Sequence, residues 1–186
     1  MTTGHPQEKI VETLDYNGIT VEIVEWKETI WCGKIEYAIN NTDEPNVEKM
    51  SEDYFSLTSH AKPVDNLEDG WSVCISANYL SGERPNGVMY ASLVASDKQP
   101  DGFDIYKVPT GKYARISMSE ETAKKLGHEP WNGGIPPFEW IGKEIAPKIG
   151  YKYGDDKLPI YEYYGYWNND KKGFEFHYLY VPVEKE

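Results

Sequence analysis

Two aromatic runs near the C-terminal end, Leu158-Pro-Ile-Tyr-Glu-Tyr-Tyr-Gly165 and Phe174-Glu-Phe-His-Tyr-Leu-Tyr-Val-Pro-Val183, constrain this chain most. Both read with a period of two and are separated by a polar turn, which predicts a β-hairpin. Successive side chains of a strand face opposite sides. Ile160, Glu162 and Tyr164 therefore share one face, and Tyr161 and Tyr163 the other. On the partner run, Phe174, Phe176, Tyr178 and Tyr180 share an all-aromatic face expected in the core. Glu175 and His177 fall on the opposite face with Leu179 and Val181, as candidates to stand beside Glu162. One face of the hairpin is expected to be the helix-packed core and the other a groove. A carboxylate between ring faces suits a flat, apolar cation, because each ring attracts positive charge by roughly 0.5–2 kcal/mol. If Glu162 is desolvated there, its carboxyl is expected to titrate high until a cation arrives.

The rest of the chain supplies the partners of that hairpin. Val21, Ile23, Ile30, Ile35 and Ala38 mark one or two strands between Ile19 and Ile39, with a bend or bulge expected at Trp31-Cys-Gly33. Ser51 is the expected cap of a short helix over 52–60, carrying Tyr54, Phe55 and Leu57 inward or toward a groove. A second hairpin follows, alternating at Trp71, Val73, Ile75, Ala77 and Tyr79, then at Met89, Ala91, Leu93 and Ala95. Residues 104–116 read as one strand interrupted at Pro109-Thr-Gly111. Ser117 and Glu120 have capping-box spacing for a short helix. Pro136-Pro137 opens a longer helix with Phe138, Ile141, Ile145 and Ile149 on one stripe and a kink or end at Pro147. Trp140 lies off that stripe, a placement suited to a groove wall.

The order strand, helix, strand, strand occurs twice. The expected fold class is α+β: two pseudo-symmetric β-α-β-β repeats forming a curved antiparallel sheet, with helices on one face and a ligand groove between the halves. Residues 1–9 are expected as a disordered tail and 10–186 as a single domain, with repeats at about 15–97 and 104–184. Tyr79, Tyr90 and Tyr54 would then line the wall opposite Glu162.

Composition narrows the partners. The formal charge of -12, from 19 basic and 31 acidic residues, lacks the clustered Lys and Arg that phosphate backbones need, so no direct nucleic-acid binding is expected. The same charge attracts organic cations. Cys32 and Cys74 sit singly in apolar segments, and the four histidines show no ligand spacing, so neither a disulfide framework nor a metal is expected. No phosphate loop or other cofactor motif occurs, and no apolar run approaches membrane length. With a short polar start to the chain, the expected location is cytoplasmic.

The segments Val108-Pro-Thr-Gly-Lys-Tyr-Ala114, Phe138-Glu-Trp-Ile141, Pro159-Ile-Tyr-Glu-Tyr-Tyr164 and Tyr180-Val-Pro-Val183 resemble the gyrase-inhibitor-like (GyrI-like) small-molecule-binding domains. Such domains also serve as effector-binding domains of AraC-type and MerR-type transcription regulators. The family's late proline, glutamate and tyrosine are matched by Pro159, Glu162 and Tyr164. The resemblance covers about 104–183 and implies multidrug-type capture of hydrophobic, often cationic compounds by a glutamate in an aromatic cage. It also implies two alternatives. One is a cofactor-free hydrolase of electrophilic natural products, with Glu162 directing water. The other is an acidic module for a protein partner.

Overall fold

A computed structural model describes residues 8–38, 45–67, 74–77, 87–119, 121–122, 125, 137–154, 158–164, 167–170, 173–174 and 177–186. The strands are β1 (Glu8–Tyr16), β2 (Ile19–Trp26), β3 (Thr29–Tyr37), β4 (Cys74–Ala77), β5 (Gly87–Val94), β6 (Asp104–Val108), β7 (Gly111–Ser117), β8 (Tyr151–Tyr153), β9 (Ile160–Tyr164), β10 (Trp167–Asn168), β11 (Gly173–Phe174) and β12 (His177–Lys185). Helix α1 is Val47–Thr58. Helix α2 joins an α-helical turn, Pro137–Trp140, to a widened π-helical stretch, Ile141–Ile145, and a last turn, Ala146–Lys148. The widening has a local cause. Pro147 has no N–H to donate, and its ring would meet the carbonyl four residues back, so the preceding turns open.

Among the described residues the fold is α+β. Ten antiparallel strands form one sheet in the order β1-β2-β7-β12-β9-β4-β5-β3-β6, with β8 on β12, and β10 pairs β11 separately. The chain order forces this sheet to curl. Five strands stand between β2 and β3, and five between β6 and β7, yet each pair is joined by only two residues. On a flat sheet those strands would lie roughly 29 Å apart. Two linking residues span at most about 11 Å. The halves must therefore bend toward each other, and Trp26 and Trp31 stack at 6.2 Å across the hollow.

That concave face is filled by rings. Trp26, Trp31, Tyr113, Tyr161 and Tyr180 are buried together with Tyr163, Met89, Ala91 and Leu93. Trp26 lies 4.5 Å from Tyr161 and 4.8 Å from Tyr180 between ring centres. Arg115, 5% exposed, is also on this face, ion-paired to Glu8 and Glu22 and stacked over Tyr178 at 4.7 Å. Burial pushes the Glu8 carboxyl above its usual range, while the Trp26 N–H and the Arg115 charge pull it down. The opposite, convex face carries both helices. Ile141 and Ile145 of α2 pack on Ile23, Ala114, Ile116, Leu179 and Val181. Met50 and Tyr54 of α1 are buried against β3 and β5.

Several expectations need correction. Glu8 and Lys9 belong to β1 and not to a tail; its half-open, polar alternation is that of an edge strand. Helix α1 starts at Val47, capped by Asn46, whose side chain accepts the Lys49 N–H at 2.9 Å, so Ser51 is internal. The Pro109-Thr110 interruption divides two strands that stand far apart in the sheet order, because a proline cannot continue the ladder. Gly33 makes no bulge: β3 pairs β5 without a register shift from Ile30 to Tyr37. Ser117 closes β7 opposite Tyr178, and the hydroxyl that caps the following turn belongs to Ser119, which accepts the Thr122 N–H at 3.1 Å. The remainder of that expected helix lies outside the described residues.

Candidate functional site

The register of the sheet assembles the candidate site. Glu162 is opposite Leu179 on one side and Cys74 on the other. Cys74 in turn is opposite Tyr90, and Tyr90 opposite Lys34. Directly paired residues of antiparallel strands share a face. The row Leu179–Glu162–Cys74–Tyr90–Lys34 therefore runs across the convex, helix-bearing face. Each helix meets this row. Leu179 is buried in the cluster beneath α2. Tyr90 lies against α1, its N–H 3.0 Å from Met50 Sδ and its ring 6.0 Å from that of Tyr54.

Glu162 and Tyr90 are only partly covered. In β5 every residue is buried except Tyr90, which is half-buried. In β9, Ile160, Tyr161 and Tyr163 are buried while Glu162 is half-buried. Glu162 and Tyr90 are two strand spacings apart, roughly 10 Å between backbones, with position 74 of β4 register-paired to both.

The sequence-derived candidates distribute as follows. Tyr164 is two residues from Glu162 on the same strand and opposite His177, so both positions share Glu162's face. Tyr90 joins them through the row. Tyr54 is packed under its helix and not an open wall: it is 5% exposed, and burial raises its hydroxyl pKa despite a hydrogen bond with Ser92. It backs Tyr90 because positions 50 and 54 form the inward stripe of α1. Trp140 packs edge-on to Tyr16 at 6.1 Å, which turns it toward the β1–β2 edge, four strands from β9. The cause is the same stripe: Ile141 and Ile145 take the buried side of α2, and Trp140 falls on the outer flank. Tyr79 and Glu175 lie outside the described residues. The division into a helix-packed face and a groove face is also corrected, since the helices and Glu162 share one face, and the second face of the hairpin is the ring-filled hollow. Position 74 falls on the helix-bearing face by its register with Glu162 and Tyr90. Cys32, on the same face under Tyr54, is fully buried, and its thiol is pushed up to about 12 by burial and the Asp104 charge.

No protein-family model and no curated protein matches the chain. Solved structures do match. SAV2435, in a structure with tetraphenylphosphonium bound, superposes with a TM-score of 0.57 at 11% identity, over 88% of this chain and 93% of that one. The C-terminal domain of EcmrR superposes at 0.53 and 12% identity, over 89% and 98% of the two chains. The chain has the fold of the GyrI-like effector-binding domains. A Staphylococcus aureus MU50 protein described as a bacterial transcription regulation protein matches at 0.54 and 12% identity, over 90% and 99%. At such identities the fold is what is shared. Among the described residues, no helix is long and apolar enough to cross a membrane.

Proposed function

We propose that this protein is a small-molecule-binding domain that captures lipophilic aromatic cations in the trough between α1 and α2. The reading rests on one observation: Glu162 and Tyr90 are half-buried among buried strand neighbours, on one row, with α2 packed over Leu179 on one side and α1 against Tyr90 on the other. In this reading Glu162 supplies the countercharge and Tyr90 a ring face, and Tyr164 and His177, whose positions share that face of the sheet, are further candidates. Likeness of fold to a domain solved with tetraphenylphosphonium supports the same ligand chemistry. The overall charge of -12 favours cation approach over long range.

The architecture fits two repeats. One is β3, α1, β4 and β5; the other is β7, α2, β9 and β12, with β8 as an addition. The orders β3-β5-β4 and β7-β12-β9 mirror each other about the β4–β9 pair, which carries Cys74 and Glu162. Junctions of this kind are common ligand sites. A sensor or sequestering role in the cell interior follows from such a site without any catalytic group.

Calorimetric titration with tetraphenylphosphonium checks the countercharge. Glu162→Gln keeps the shape of the side chain and removes the charge, and it is expected to weaken binding about tenfold or more, in line with a partly desolvated charge contact. Equal affinity for the variant and the wild type would remove Glu162 from the proposed role.

A further inference from the structure

The flank of α1 that faces the trough carries a ring that the sequence-derived site did not include. Phe55 is 54% exposed, an unusual position for a large apolar side chain on a packed helix. Its orientation follows from its neighbours. Met50 and Tyr54 form the buried stripe of α1. Lys49 and Asp53 lie to one side of that stripe, where Lys49 Nζ reaches Glu36 of β3 at 3.0 Å. Successive helical residues turn by about 100°, so Phe55 lies on the other side, away from β3 and toward β5, β4 and β9. Its ring contacts agree. Phe55 meets Tyr90 at 6.3 Å between centres with planes inclined at 62°, and Tyr54 at 5.5 Å and 75°.

We infer that Phe55 sets the preference of the trough for aryl over alkyl cations. This rests on the binding reading proposed for Glu162 and specifies the ligand class of that site. With Tyr90 it forms a two-ring corner, inclined as edge-to-face pairs are, on the side of the trough opposite the carboxylate. A third ring entering the corner gains inclined contacts with both. An alkyl chain gains only apolar burial there. A cation with its charge near Glu162 and an aryl arm of a few ångströms bridges the roughly 10 Å between carboxylate and corner. Phe55 is a specificity residue, and the charge recognition stays with Glu162.

The test compares tetraphenylphosphonium with tetrabutylphosphonium, two cations of equal charge, on wild type, Phe55→Leu, Phe55→Tyr and Glu162→Gln, by calorimetry. Phe55→Leu keeps an apolar side chain on an exposed helix position and leaves the fold intact. It is expected to weaken tetraphenylphosphonium about fivefold and tetrabutylphosphonium less than about twofold, with Phe55→Tyr restoring the wild-type ratio. Equal losses for both cations would make Phe55 a packing residue and overturn the inference while leaving the role of Glu162 standing. A wild type that binds neither cation, or a Glu162→Gln variant that loses nothing, would overturn the binding reading and this inference with it. A change in oligomeric state of Phe55→Leu by sedimentation, with unchanged cation ratio, would assign the ring to a contact between copies and overturn the inference as well.

Discussion

Gly33→Ala is expected to destabilise the protein by about 4 kcal/mol or more, the range of the severest single substitutions. A methyl carbon on Gly33 would stand 1.7 Å from the carbonyl oxygen of Tyr90 and 2.7 Å from Cα of Ala91. These are backbone atoms of β5, so no side-chain rotation relieves the clash. Gly33 pairs with Ala91 on one side and Asp104 of β6 on the other, which leaves β3 no free edge toward which to shift. The melting temperature, followed by far-ultraviolet circular dichroism, should fall by roughly 10 °C for a chain of this size. Because β5 carries Tyr90, any surviving folded fraction should also bind aromatic cations less well. A variant melting within a degree or two of wild type would contradict the close approach of β3 and β5.

Arg115→Met carries the second large effect. Arg115 lies in the hollow, pairing with Glu8 from the edge strand and with Glu22 from β2, and Trp26 Nε1 donates to Glu8 at 3.0 Å. Removing one member of a buried ion network strands the others, which costs about 3–5 kcal/mol. The loss should depend on pH in a defined direction. Burial already raises the Glu8 carboxyl above its ordinary value of 4.5, chiefly by desolvation. A folded state that holds this proton more tightly than the unfolded chain loses stability as pH rises from the ordinary value through the raised one. Without Arg115 the carboxyl rises further. The deficit of Arg115→Met should thus be largest at neutral pH and shrink as pH falls toward about 4.5, where the Glu8 carboxyl takes up its proton. Urea unfolding at pH 7 and pH 5 reads this, and a deficit that is the same at both values would contradict the buried pairing of Glu8 with Arg115.

Much of the fold could be read from periodicity, and the exceptions have physical causes. The strands around Val21, Ile23 and Ile35, the 74–94 hairpin and the C-terminal hairpin all announce themselves by alternation. Strand β1 does not, because an edge strand buries only part of one face, and its first residues, Glu8 and Lys9, read as tail. The Asn46 cap was hidden among several turn formers before α1. Sheet order is invisible to local pattern: nothing in Pro109-Thr110 says that five other strands stand between the two it joins. For the site, period two placed Glu162, Tyr164 and His177 on one face correctly relative to each other. Which face of the sheet the helices would cover depends on strand order, so the opposition of helix face and groove face was misread. Trp140 failed for a related reason. Its helical angle was legible, but the direction of the sheet edge beyond α2 was not. Phe55 was legible as one of three apolar residues on its helix, and only the burial of Met50 and Tyr54 separates it from them.

The central claim is that an aromatic cation sits on the convex face, over the Glu162 row, and not in the ring-filled hollow behind it. Intermolecular nuclear Overhauser effects between the phenyl protons of tetraphenylphosphonium and the protein test this directly. Contacts to Tyr90, Phe55 and the β-protons of Glu162 are the predicted result. Contacts to Trp26, Trp31 and Tyr180 in their place would put the ligand on the opposite face and contradict the account.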